Sequence, residues 1–221
     1  MIAKQFISPL PEPSQFTDTG ADVLYHLDAN RLEDIPVVEN NILIGSILES
    51  EIFAMADLDT PLKDQKITLK KVFVFEHQHI YDIINVMASS GLTAIPVLDN
   101  QDNYLGCILV QHLIKPLATL LSADSPGAII ILELNQNDFV LSQITQLVES
   151  QDMKILSLSI EPDKDSTKMD VILKLNTMEI QGLIQTLNRY NYIIKATYTE
   201  DENMMNDLRD RYDSLMKYLS I

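Results

Sequence analysis

Residues 91–109 read GLTAIPVLDNQDNYLGCIL, and residues 31–48 read RLEDIPVVENNILIGSIL. Shifting the chain by 60 residues lays Ile35-Pro36-Val37 over Ile95-Pro96-Val97. After one inserted residue in the later stretch, Gly45 lies over Gly106. Self-similarity at a fixed spacing indicates a structural unit that is built more than once. The first half of the chain therefore contains an internal repeat.

Each copy of the repeat predicts a helix, a strand, a turn, a strand and a second short helix. The first helix of the later copy has one apolar face, formed at helical spacing by Ile80, Ile83, Ile84 and Met87. The Ile-Pro-Val runs predict short buried strands, in which a proline near the start costs no ladder hydrogen bond. The second helices are predicted to begin near Ser50 and near Gln111. Neither copy has the apolar surface for a core of its own, so we expect the two to pack against each other.

This pattern of an apolar helix, h-P-V-h, a polar turn, h-h-G-h-h and a short helix resembles a CBS domain. Two in tandem, with repeat 1 at about 7–60 and repeat 2 at about 61–122, resemble a CBS pair, also called a Bateman module. The resemblance implies a pseudo-symmetric pair with two clefts, where many members bind adenosine-containing ligands. AMP, ADP, ATP or S-adenosylmethionine would then be a regulatory ligand, and no cofactor is required.

The ligand signature of the family is altered here. Nucleotide-binding members usually carry Ser or Thr at the third position after the glycine and Asp at the sixth, where the Asp holds the ribose hydroxyls. This sequence has Leu48 and Glu51 at those places in the first copy, and Leu109 and His112 in the second. A glutamate keeps the carboxylate acceptors one methylene farther out, whereas an imidazole does not. The cleft at Glu51 is the better candidate.

The resemblance assigns the two clefts to seven positions of this chain. One cleft takes Ile35, Pro36 and Glu51, and the other takes Phe75, Ile95, Pro96 and His112. The apolar residues would line the adenine, and Glu51 would accept hydrogen bonds from the ribose. The alternative is a CBS pair that serves as a dimerisation scaffold, with empty or altered clefts.

The second half has its own pattern after a turn-rich stretch at 122–127, which marks a domain boundary. Strands are predicted at 128–132, 156–160, 169–175 and 192–198, and helices at 140–148 and 180–187. The order βαββαβ is a ferredoxin-like arrangement. The fold class predicted for the whole chain is α+β (α/β mixed), a CBS pair followed by this domain.

Residues 126–199 resemble an ACT domain, a module that often pairs with itself and binds amino acids. Ligand-binding members usually have a glycine in the loop between the first strand and helix, and here that loop, 135–138, reads NQND. Amino-acid sensing and a dimerising or docking role are both open. A C-terminal helix is predicted at 200–221, where apolar residues recur at spacings of 3, 4, 3 and 4; it either packs on its own domain or forms a dimer contact.

The charge balance argues against nucleic acid as a partner, and the hydropathy argues against a membrane span. The chain has 16 Lys and Arg against 32 Asp and Glu, a net charge of −16, whereas nucleic-acid binding needs a basic surface. No apolar run approaches the roughly 18 residues of a membrane span, and the N-terminus does not resemble a signal peptide. A single cysteine, Cys107, fits a reducing compartment, so we expect a cytoplasmic protein.

Catalytic motifs are not found in the sequence. There is no GxGxxG, P-loop, GxSxG or HExxH pattern, and Cys107 lies in an apolar strand. His77 and His79 stand beside Glu76 without further ligands, so no metal site is predicted. We expect a non-enzymatic sensor or adaptor, a homodimer with an unidentified protein partner. The order of a CBS pair and an ACT-like domain resembles the accessory proteins of acetoin utilisation.

Overall fold

The two sequence repeats fold with the same order of elements. The computed structural model describes residues 1–9 and 11–199. The first copy forms α1 (Gly20–Asn30), β1 (Asp34–Glu39), β2 (Ile42–Leu48) and α2 (Glu49–Phe53). The second copy forms β3 (Val74–Phe75), α3 (Ile80–Ser90), β4 (Ala94–Leu98), β5 (Tyr104–Leu109) and α4 (Val110–Leu120). The predicted order is confirmed, and the second helices begin one residue before the predicted starts.

The first helices of the two copies also begin in the same way. Thr19 Oγ1 accepts a hydrogen bond from the N–H of Asp22 at 3.2 Å, and the Asp22 carboxylate accepts from the N–H of Thr19 at 3.0 Å. In α3 the Asp82 carboxylate accepts from the N–H of His79 at 3.2 Å, sixty residues later. Such reciprocal capping satisfies amide groups that have no partner inside the helix.

The strands of each copy pair antiparallel in the same register. Pro36 lies opposite Ser46 in β1–β2, and Pro96 lies opposite Cys107 in β4–β5. A segment from outside the two strands then pairs with each of these sheets. Lys70 bridges to Ser46 in the first copy, and Ser8 bridges to Cys107 in the second. The N-terminal segment therefore completes the second repeat, and the segment between the repeats completes the first.

The glycines of the repeat are explained by this close passage of the added segments. A Cβ built on Gly106 would lie 2.7 Å from Cγ2 of Ile7 and 2.8 Å from the carbonyl oxygen of Ser8. One built on Gly45 would lie 2.8 Å from Cβ of Leu69. Real Cβ atoms do not approach other atoms so closely, so any side chain at Gly106 would displace backbone.

The core of the first unit is shared between the repeats, as expected from the sequence. One cluster of buried side chains contains members of α1, β1 and β2 together with members of β4 and β5. Its members include Val23, Leu27, Ile35, Val37, Ile47, Ala94, Cys107 and Leu109.

The second unit has the predicted βαββαβ order. It forms β6 (Ile129–Asn135), α5 (Leu141–Glu149), β7 (Ile155–Pro162), β8 (Lys168–Leu175), α6 (Gln181–Arg189) and β9 (Ile193–Tyr198). The sheet is antiparallel, with the strand order β7-β8-β6-β9. Buried residues of β6, β8 and the two helices form its core, including Ile130, Leu132, Ile144, Val171, Leu173 and Leu187. The α+β fold class is confirmed.

One strand of this unit departs from the simple alternation of its sequence. The pairing of β7 with β8 shifts register between Ile155 and Ser157, so Leu156 falls in an irregularity of the strand. Leu156 is 37% exposed and Ile160 is 44% exposed. The alternating Leu156, Leu158 and Ile160 of the sequence therefore do not form one buried row.

The described chain divides into two compact units, Met1–Lys115 and a second that begins at Pro116, within α4. The predicted domain limits at 122 and 126 remain predictions. The predicted C-terminal helix at 200–221 lies outside the described residues. Among the described residues, every helix is too short or too polar to cross a lipid bilayer.

Candidate functional site

The four apolar residues assigned to the clefts lie on matching strands. Ile35 and Pro36 are in β1, and Ile95 and Pro96 are in β4. All four are buried, and both isoleucines have no exposed surface. These residues belong to the packed interior of the first unit in this structure, so contact with a ligand would require a local rearrangement.

Glu51 is placed differently, on the first turn of α2, where it is half-buried. Its Oε2 atom accepts a hydrogen bond from the backbone N–H of Thr68 at 3.3 Å. Thr68 belongs to the segment between the repeats that bridges to β2 two residues later, at Lys70. Glu51 therefore connects α2 to this segment, and its other carboxylate oxygen accepts no hydrogen bond within the described chain.

A cavity of about 310 Å³ lies along the segment that Glu51 contacts. Its lining residues are Phe16, Leu62, Lys63, Gln65, Ile67 and Leu69. Thr68 stands between the last two of these in the chain. The cavity is therefore lined by four apolar side chains, one amide and one ammonium, and two of the apolar residues are the chain neighbours of Thr68.

The remaining two cleft positions have contrasting surroundings. Phe75 is half-buried at the end of β3, and its ring stacks on that of His77 with 5.7 Å between centroids and 14° between planes. His112 lies on α4 with its side chain exposed, and it makes no side-chain hydrogen bond within residues 1–9 and 11–199. The structure thus brings Glu51 into a contact and leaves His112 facing solvent.

Asp34 is a buried acid that no sequence motif indicates. It is 1% exposed, and its carboxylate accepts hydrogen bonds from the Thr93 N–H at 2.5 Å, the Thr93 hydroxyl at 2.6 Å and the Ala94 N–H at 3.1 Å. Burial raises the pKa of Asp34, although these hydrogen bonds and the charge of Lys70 lower it. The repeat aligns this acid with Ala94 at a buried strand position, but the alignment does not indicate its hydrogen-bond partners.

The contacts of Asp34 tie together the two strands that carry the cleft positions. Asp34 directly precedes Ile35 and Pro36, and Thr93 and Ala94 directly precede Ile95 and Pro96. The chain separation across this contact is 59 and 60 residues. If one repeat shifted against the other, the buried, charge-assisted hydrogen bonds of Asp34 would break.

Cys107 is buried in the shared core as a thiol. Burial raises the pKa of its thiol to about 12, with a further increase from the charge of Asp34. The neutral thiol is a weak nucleophile, since the thiolate is the reactive form. No group of three or more His, Cys, Asp or Glu side chains in the described residues is arranged to hold a metal ion.

The second unit has a larger cavity, of about 600 Å³, beside the loop at 135–138. Its lining includes Gln143 and Gln146 of α5 and Arg189 at the end of α6. The Arg189 guanidinium donates to Thr186 Oγ1 at 3.5 Å and lies 5.9 Å from the ring centroid of Tyr190. This cavity offers one cation and several amide groups.

Three solved structures have similar folds over about half of this chain. A CBS domain pair/ACT domain protein from Thermotoga maritima is 17% identical, with a TM-score of 0.48, covering 53% of this chain and 96% of that one. A Vibrio cholerae protein named AcuB after acetoin utilization is 17% identical, with a TM-score of 0.47 and coverage of 56% and 95%. CBSX2 in complex with AMP is 15% identical, with a TM-score of 0.45 and coverage of 52% and 95%.

The family comparison concerns the second repeat. The model of the CBS domain family matches residues 65–119, which contain β3, α3, β4, β5 and nearly all of α4. Residues 65–119 of this chain are therefore similar to a CBS domain.

Proposed function

We propose that this chain is a non-enzymatic regulatory sensor whose first unit is a CBS pair that binds an adenine nucleotide. The pair then consists of the first repeat, at about 7–60, and the CBS-like repeat at 65–119, and the two share one hydrophobic core. The protein is a homodimer. Its ACT-like domain at 126–199 passes the change caused by ligand binding to a different protein. The cytoplasm is the compartment proposed for this activity.

The observation that carries this proposal is the position of Glu51. Glu51 is half-buried, and its carboxylate accepts a hydrogen bond from Thr68, which lies in the chain between two apolar residues that line a cavity, Ile67 and Leu69. A carboxylate with an unused oxygen accepts hydrogen bonds from the two adjacent hydroxyls of a ribose, and both bonds are charge-assisted. Apolar walls with a few polar groups are typical of small-molecule sites. Together these features suit a nucleoside.

Regulation follows from the burial of the other cleft positions. Ile35 and Ile95 have no exposed surface, so a base that contacts them binds only after the repeats shift. Asp34 opposes such a shift through its hydrogen bonds to Thr93 and Ala94. A ligand that binds the shifted packing more tightly would increase its population by that difference in affinity. The second unit would report the change.

The first test is a thermal-shift screen against AMP, ADP, ATP, S-adenosylmethionine and the amino acids. A ligand at 100 times its dissociation constant should stabilise the fold by about 2.7 kcal/mol. We expect Glu51→Ala to weaken nucleotide binding by roughly tenfold, as for loss of a charge-assisted contact. Glu49→Ala is the matched control, because it removes the same charge from the same helical turn without touching Thr68.

One outcome would reject the proposal, and another would reject the ribose role of Glu51. If no nucleotide stabilises the protein, the CBS pair acts as a ligand-free scaffold for dimerisation or partner binding, and a constitutive dimer is expected. If a nucleotide binds but Glu51→Ala and Glu49→Ala have equal effects, the ribose role of Glu51 is wrong.

The second candidate function is amino-acid sensing by the second unit, and the cavity beside loop 135–138 favours it. Arg189 would pair with the carboxylate of an amino acid, and Asp138 would accept from its ammonium. Stabilisation by an amino acid, lost in Arg189→Gln, would support this function. Stabilisation by nucleotides alone would exclude it.

A further inference from the structure

The sheet of the second unit has two faces, and α5 and α6 cover only one of them. Ile130 of β6 and Leu173 of β8 lie opposite each other and belong to the core cluster that contains residues of both helices. Successive side chains of a strand point to opposite faces of the sheet. Ile129, Ile131 and Ile172 therefore point to the face that α5 and α6 leave open.

The open face is apolar across three strands. Ile131 lies opposite Ile172 of β8 and opposite Ala196 of β9, and Ile129 lies opposite Tyr198 of β9. Tyr198 is 50% exposed, and the other four residues are half-buried. Where one face of an antiparallel sheet meets water, its outward residues are usually polar. These five residues, which we call the apolar strip, therefore favour an apolar covering.

Polar groups bound the apolar strip on two sides. Towards the end of β6 lie two ion pairs, Lys168 with Glu133 and Lys195 with Asp170. On the side of β7, the hydroxyl of Ser157 donates to the carbonyl of the residue that follows α4, at 2.8 Å. On the opposite side, β9 is the outer strand of the sheet. The strip therefore reaches the edge of the sheet at β9.

The chain leaves the sheet at this same edge. β9 ends at Tyr198, and residues 200–221 lie outside the described part of the chain. In the sequence of that segment apolar residues recur at spacings of 3, 4, 3 and 4, which predicts one apolar face of a helix. They are Met205, Leu208, Tyr212, Leu215 and Leu219.

The length of this segment matches the open face. A helix over residues 205–219 is about 21 Å long at 1.5 Å per residue, and the seven residues of β6 extend over about 20 Å. Residues 199–204 connect β9 to the predicted helix and can span about 20 Å. Because β6 lies next to β9, only about 5 Å away, this connection is long enough to turn the helix back over the apolar strip.

We infer that residues 205–219 pack as a helix on the apolar strip of their own second unit. The unit then has three layers, with the sheet between this helix and the pair α5 and α6. The short connection favours the segment of the same chain over that of a second copy, because it holds the helix at an effective concentration on the order of millimolar. The packing needs no nucleotide, so its test does not depend on the proposed function.

Limited proteolysis of the full chain with trypsin, followed by mass spectrometry, tests this packing. Trypsin cleaves a folded chain where it opens locally, so a packed helix is cleaved slowly. The bond after Arg209 lies in the segment, and the bond after Lys164 lies in the exposed connection between β7 and β8. An aspartate follows both bonds, which matches their local sequence. We expect cleavage after Arg209 to be roughly tenfold slower than cleavage after Lys164.

Two pairs of variants locate the contact. Ile131→Asp places a charge in the apolar strip and should abolish the protection of the segment. Ile160→Asp places the same charge on β7, opposite the buried Val171 of the other face, and should preserve the protection. Leu215→Asp should abolish the protection from the side of the segment, and Ser214→Asp, one residue away, should preserve it. The second pair decides the outcome if Ile131→Asp destabilises the sheet itself, which circular dichroism would reveal.

Three results would overturn the inference. Equal cleavage rates after Arg209 and Lys164 in the wild type would mean that the segment is not packed. Equal protection in Leu215→Asp and Ser214→Asp would mean that the predicted apolar face makes no contact. Protection that increases with protein concentration would mean that a second copy, rather than the same chain, provides the segment.

Discussion

At the scale of single residues, Ser46 has a buried hydroxyl without a partner. The residue has no exposed surface, and its Oγ atom makes no hydrogen bond within the described residues. Burial of an unpaired hydroxyl costs about 1–3 kcal/mol in proteins. We expect Ser46→Ala to raise the free energy of unfolding by about 1 kcal/mol, measured by urea denaturation. Ser50→Ala, at an exposed position of α2, is the control and should have little effect. A destabilised Ser46→Ala would show that the hydroxyl has a partner.

Asp34 provides a second prediction for a single residue. In Asp34→Ala the N–H groups of Thr93 and Ala94 lose their buried acceptor, so we expect a loss of about 2–3 kcal/mol in the free energy of unfolding. Asp34→Asn isolates the effect of pH. Burial raises the pKa of native Asp34 above its ordinary value of 3.8, so the native state retains this proton at a pH where the unfolded chain has released it.

The sign of this pH dependence follows from proton linkage. The wild type is most favoured relative to Asp34→Asn below pH 3.8, where both states bind the proton. It loses stability relative to the variant as pH rises from there through the raised native pKa, and the loss is complete above that value. Urea titrations of both proteins at several pH values measure the difference. A difference that moves in the opposite direction would mean that the hydrogen bonds from Thr93 and Ala94 outweigh burial.

The sequence predicts the environment of some of these residues and not the contacts of others. The buried, neutral thiol of Cys107 follows from the apolar run around it. The role of Asp34 does not, because its partners are 59 and 60 residues away and only packing of the repeats brings them together. The contact of Glu51 with Thr68 is equally non-local, since it depends on the path of the segment between the repeats.

At the scale of elements, the glycines of the repeat control how the added segments pair. Gly106 has a φ of +135°, and a Cβ there would meet backbone and side-chain atoms of residues 7 and 8. We expect Gly106→Ala to lower the free energy of unfolding by about 2–3 kcal/mol, through both strain and displacement of the N-terminal segment. Gly91→Ala is the control: its φ of +70° is strained, but no atom lies within 4 Å of the new Cβ. Equal losses would mean that strain alone matters.

Helices and strands were predicted best where their pattern is local. The first helices of the repeats have reciprocal caps at Thr19 and His79, and their apolar faces are visible in sequence. The strand β7 was predicted in place, but its register was not, because the shift after Ile155 arises from pairing with β8. The extension of each sheet by Ser8 or Lys70 was not predicted, since a single bridging residue leaves no periodic pattern.

At the scale of the whole molecule, the net charge of −16 makes stability depend on salt. Repulsion between like charges disfavours the folded state, and salt screens it. The three ion pairs of the described residues all have lysine side chains at least 51% exposed, so their loss at high salt should matter little. We expect the Tm to rise by about 2–4 °C between low and physiological salt, which corresponds to about 1 kcal/mol.

The net charge also predicts how salt affects a bound nucleotide. AMP is an anion, and the acidic surface of the chain repels it. Screening weakens this repulsion, so the increase in Tm that AMP causes should grow as salt rises. Thermal denaturation at several NaCl concentrations, with and without AMP, measures this effect beside that on the free protein. Adenosine is the control, because it is uncharged and its effect on the Tm should be nearly independent of salt. If salt reduces the AMP effect, cations near the bound phosphate attract it more strongly than the acidic surface repels it.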